Sequence, residues 1–60
     1  MKYSELERRL KAAGCYIVRE GASHSIWFSP ITNKKFTVPR HKTKDVPLGT
    51  LRSIERDAGI

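Results

Sequence analysis

Two histidines, His24 and His41, are the only side chains of this 60-residue chain whose ordinary titration falls near neutral pH. Both stand in a stretch without acid. Residues 21–44 hold five basic side chains and no carboxylate, whereas residues 1–20 hold five basic and three acidic, and residues 45–60 two and three. The net charge of +6 is therefore concentrated in the middle of the chain. A segment of this kind attracts a polyanion by Coulomb steering and counterion release, which makes nucleic acid the leading partner. On a phosphodiester backbone, the chemistry open to a histidine is general acid–base catalysis. His24, at the entrance to the apolar run Ile26-Trp27-Phe28, is the stronger candidate. It can equally be a strand-edge histidine that trims the rim of the core.

The stretch "PRHKTK" (39–44) sets Arg40, Lys42 and Lys44 around His41, a composition suited to phosphate contact or to a solvated loop. Other chemistries find little support. There is no glycine-rich phosphate loop, no metal-ligand spacing and no carboxylate pair outside the expected helices. His24 and His41 lack the third ligand that a metal site needs, so neither metal nor cofactor is expected. Cys15 has no partner for an internal disulfide and reads as buried filler in a reducing compartment. Trp27 either stacks on a base or packs under a loop. Gly49, in the first turn of the last helix, would admit a close neighbour.

These residues must be carried by short elements. Tyr3, Leu6, Leu10 and Ala13 recur at helical spacing behind a Ser4–Glu7 capping box, so a helix is expected over 4–13, ended by Gly14. "CYIVR" (15–19), "HSIWFS" (24–29) and "KKFTV" (34–38) have strand composition and are joined by "EGA" and "PITN", which makes an antiparallel meander. Alternation places Ile26, Phe28, Phe36 and Val38 on the core face and Ser25, Trp27, Lys35 and Thr37 on the other. Pro47 opens a last helix whose stripe is Leu48, Leu51, Ile54 and Ala58, capped by Gly59, with Ile60 folding back on Ile54. The expected fold class is α+β: α-β-β-β-α, a three-stranded antiparallel sheet with two helices on one face.

One domain over 1–60 is all this length allows. No apolar stretch approaches the roughly 20 residues that span a bilayer, and "MKYSELERRL" is unlike a signal peptide, so a cytoplasmic protein away from membranes is expected.

A helix ending in glycine, "GASH" at 21–24, "VPRH" at 38–41 and "GTLRSIERDAGI" at 49–60 together resemble the HicA family of bacterial and archaeal toxins over essentially the whole chain. The resemblance implies a fold like the double-stranded RNA-binding domain. It also implies a messenger RNA endonuclease that is neutralised by a HicB antitoxin and uses the histidine of its G-x-S-H motif, which falls on His24. Ser23 of that motif, with Lys34, Lys35, Arg40, His41 and Lys42, makes up the expected RNA-binding set. The competing readings are a non-catalytic RNA-binding module and a subunit that only binds another protein.

Overall fold

The computed structural model describes residues 1–41 and 43–60. Their order is α1 (Tyr3–Ala12), β1 (Tyr16–Glu20), β2 (His24–Ser29), β3 (Lys34–Pro39) and α2 (Leu48–Ala58). The strands form one antiparallel sheet in the order β1-β2-β3. The expected α-β-β-β-α architecture is the one observed.

α1 begins earlier than the capping box places it. The Tyr3 N–H donates to the Lys44 carbonyl (3.1 Å) and the Val46 N–H to the Met1 carbonyl (2.8 Å), so the segments ahead of the two helices bridge each other. Lys2 is the N-cap, and its N–H reaches the Glu5 carboxylate only at 3.5 Å. A tertiary partner thus satisfies the first donor of a helix that starts ahead of Ser4, and Ser4 is not its N-cap. At the other end Gly14 takes φ +93°, and the Cys15 N–H donates to the Leu10 carbonyl at 2.9 Å, the six-to-one bond of a Schellman turn.

The core is built from Tyr3, Leu6 and Leu10 of α1, Trp27, Phe36 and Val38 of the sheet, and Ile54 and Ala58 of α2, with Cys15 and Val46. Both helices therefore cover one face. β3 presents Phe36 and Val38 inward as its alternation requires, but β2 has the opposite parity from the expected one. Ser25, Trp27 and Ser29 are buried, while Ile26 and Phe28 are only half-buried on the open face. The pairing explains it: Trp27 lies opposite Phe36 and Ser25 opposite Val38, and directly opposed residues share a face. A core this small takes the one indole, fully excluded from solvent, between two serines small enough to let helices approach. The placement of Trp27 on the outward face, and with it base stacking by Trp27, is overturned.

Ser29 is also bonded. Its hydroxyl donates to the Ala58 carbonyl (2.6 Å) and accepts from the Ile31 and Thr32 N–H groups (3.2 and 3.4 Å). Gly59 caps α2 at φ +79°, and the Gly59 and Ile60 N–H groups both donate to the Glu55 carbonyl. Ile60 is half-buried against the core. Two details of α2 differ from expectation. Leu48 is 62% exposed, because Val46, just ahead of the helix, takes the buried place there. Gly49 has open space where a Cβ would stand, so no close neighbour requires it.

Candidate active site

The hairpin between β1 and β2 is closed by the Gly21 N–H, which donates to the His24 carbonyl at 2.8 Å. A Cβ on Gly21 would lie 2.9 Å from that same oxygen, so the position admits glycine alone without a shift of backbone. Two further bonds tie the loop to the end of β3. The Arg40 N–H donates to the Ser23 carbonyl (3.1 Å), and Arg40 Nη1 to the Gly21 carbonyl (2.7 Å). Residues 21–24 are thus held by their own turn bond and by Arg40 at the end of β3.

His24 opens β2 opposite Pro39. Because Ser25 and Trp27 point inward, His24 shares its parity with Ile26 and Phe28 and projects on the face that carries no helix, where it is exposed. Among the described residues none hydrogen-bonds its imidazole, which leaves both ring nitrogens to a ligand. This ring trims no core.

Arg19 joins His24 through a feature that alternation hides. Ile17 pairs with Trp27, and an unbroken ladder would bring Arg19 opposite Ser25, on the helix side. A β-bulge between Ile17 and Arg19 brings Arg19 opposite Ile26 instead. An extra residue re-aims every side chain beyond it. Arg19, Gly21, His24 and Ile26 consequently line one hollow of about 270 Å³. Arg19 escaped the sequence reading because it lies outside the acid-free segment and because a bulge leaves no mark on composition.

A second hollow, of about 380 Å³, is lined by Arg40, His41, Thr43 and Lys44. The ring of His41 meets the edge of Tyr3 with centroids 6.2 Å apart and planes at 68°. Arg40 touches both regions, lining this hollow while its Nη1 holds Gly21. Lys42 lies outside the described residues. Lys34 and Lys35 stand at the opposite end of the sheet, paired with Ser29 and Phe28. Four residues of strand, about 13 Å, separate Lys35 from Pro39 and so from the level of His24. Lys35 shares the open face with His24, whereas Lys34 has the parity of buried Ser29. The structure therefore brings Ser23, His24 and Arg40 together with Arg19, sets His41 in the adjoining hollow, and leaves the two lysines apart.

Among the described residues, no three His, Cys, Asp or Glu side chains converge as metal ligands would. Among the same residues no helix is long and apolar enough to cross a membrane.

An exposed histidine and arginines at one corner of an open three-stranded sheet place the chain in the class of small, basic α+β domains. The family model described as HicA toxin of bacterial toxin-antitoxin matches residues 3–60, essentially the whole chain, and the chain belongs to that family. No curated protein matches it. Membership makes it the toxin component of a toxin–antitoxin pair.

Proposed function

We propose that this toxin is an endoribonuclease that cleaves messenger RNA with His24 as general base, and that a HicB-type antitoxin neutralises it. The observation that carries this reading is the exposure of His24 in a hollow shared with Arg19. The imidazole takes the proton of a ribose 2′-OH as that oxygen attacks the adjacent phosphorus. The phosphorus–O5′ bond breaks, leaving a 2′,3′-cyclic phosphate on one fragment and a 5′-OH on the other, with solvent protonating the departing oxygen. No electron leaves or enters, and no metal takes part. Arg19 and Arg40 supply positive charge where the phosphoryl oxygens gain negative charge. General base catalysis of this kind contributes roughly 10²- to 10⁴-fold. An acidic antitoxin surface placed over this corner would compete with RNA for the same charges, so inhibition needs no change of conformation.

The test is to express His24→Ala without a partner and to compare growth arrest and transcript cleavage with the parent. Loss of both is expected, with the parent's cleavage unaffected by excess chelator. A His24→Ala protein that remains as toxic rules out the assignment, and purified parent that shifts RNA without shortening it favours a non-catalytic binding module.

A further inference from the structure

The sheet face opposite the helices is not bare. Tyr16 and Phe28, directly paired across β1 and β2, form an aromatic couple with ring centroids 5.6 Å apart and planes tilted by 44°. Tyr16 is 55% exposed and Phe28 half-buried. Ile26 continues this surface toward His24, and Lys35 and Thr37 flank it on β3, opposite Phe28 and Ile26. Arg19, brought round by the bulge, closes it at the hairpin end.

Charge on this face has one sign. Of the chain's six carboxylates, Glu5 and Glu7 belong to α1, Glu55 and Asp57 to α2, and Asp45 to the segment ahead of α2. The sixth, Glu20, pairs with Ser25 and so has the parity of the helix side. The open face thus joins an exposed tyrosine and a half-buried phenylalanine to cations with no acid among them.

We propose that this face is the platform on which single-stranded RNA lies, with Tyr16 and Phe28 stacking on its bases while a neighbouring phosphodiester reaches His24. The proposal rests on the reading of the substrate as RNA and adds where, and in what form, the strand binds. Stacking on aromatic side chains needs bases whose faces are free, which selects an unpaired strand over a duplex. Phosphates beside the stacked bases find Lys35 at one end and Arg19 at the other. The four residues from Phe28 to His24 span about 13 Å, the reach of a few nucleotides. A second copy of the chain fits this face less well, since it would set Arg19, His24 and Lys35 against their own duplicates.

The experiment measures binding of a short fluorescent single-stranded oligoribonucleotide, and of the same sequence as a duplex, by anisotropy. His24→Ala protein serves as the parent so that the probe is not consumed. Tyr16→Ala and Tyr16→Leu are expected to weaken single-strand binding roughly 5- to 100-fold. Tyr16→Phe, which keeps the ring, is expected to bind as the parent does, and so is Leu48→Ala, an equally exposed apolar truncation on the helix side. Melting temperatures check that each variant is folded. Equal affinity of Tyr16→Ala and parent, or preference for the duplex, overturns the platform. So does a dimer, or an antitoxin complex, that Tyr16→Ala dissolves while RNA affinity is unchanged. Cleavage is scored separately on the protein with His24 intact: if transcripts stay whole, the nuclease reading fails, while the binding series still decides the platform.

Discussion

His24 and Trp27 lie three residues apart on one strand, and the alternation that sends the indole into the core turns the imidazole outward. At this scale the site is a matter of backbone hydrogen bonds placing one ring. The Gly21 N–H holds the His24 carbonyl, and Arg40 holds the Gly21 and Ser23 carbonyls. Gly21→Ala tests how finely that placement is set. The added methyl meets the His24 carbonyl oxygen at 2.9 Å, so the backbone of the hairpin must shift at the start of β2. Misplacement of a catalytic group by about 1 Å costs on the order of 10²-fold. Cleavage by Gly21→Ala is therefore expected to fall by about that factor. RNA affinity, measured by anisotropy, should stay close to that of the parent, since the cations remain.

Elements are joined here by few but well-satisfied contacts, and Ser29 is the one on which most converges. Its hydroxyl ties the C-terminal end of α2 to the β2–β3 hairpin, and the Thr32 hydroxyl adds a bond to the Asp57 carbonyl at 2.5 Å. Ser29→Ala removes the donor to the buried Ala58 carbonyl and the acceptor for two loop N–H groups. Leaving a buried polar group without its partner costs roughly 1–3 kcal/mol. Urea denaturation should show a loss of that size with an unchanged slope; a loss below about 0.5 kcal/mol would mean that water replaces the bonds. The bulge in β1 works at the same scale. It stabilises nothing evident, yet it decides that Arg19 belongs to the open face and Glu20 to the other.

For the molecule as a whole, small size and segregated charge matter most. Sixty residues support a stability of roughly 3–9 kcal/mol, so the loss at Ser29 is a substantial share. A partner that binds only the folded toxin adds to that margin by mass action. With the carboxylates held on or near the helical layer, the open face carries cations without acid, and RNA lying there as proposed would discharge counterions on binding. Each phosphate neutralised on a single strand contributes about −0.7 to the slope of log affinity against log salt. Lys35→Ala is expected to make that slope shallower by about this amount and to weaken binding alike for different sequences. An unchanged slope in a salt titration would remove Lys35 from the RNA path.

Much of this design is legible in the chain alone. Helical spacing, glycines at Gly14 and Gly59 and three β-rich runs determined the element order, and the acid-free segment with its "GASH" marked the histidine that the fold exposes. Alternation, however, says only that His24, Ile26 and Phe28 share a face. It does not say which face the helices cover, and counting apolar residues chose wrongly because one tryptophan flanked by two small serines fills the core better than Ile26 and Phe28 do. Nor can a period of two reveal an inserted residue, so the arrival of Arg19 beside His24 was decided by the strand pairing. Sequence determined what the residues are and which neighbours share a side, because those follow from local geometry. Tertiary structure decided which side is open, because that depends on packing between elements far apart in the chain.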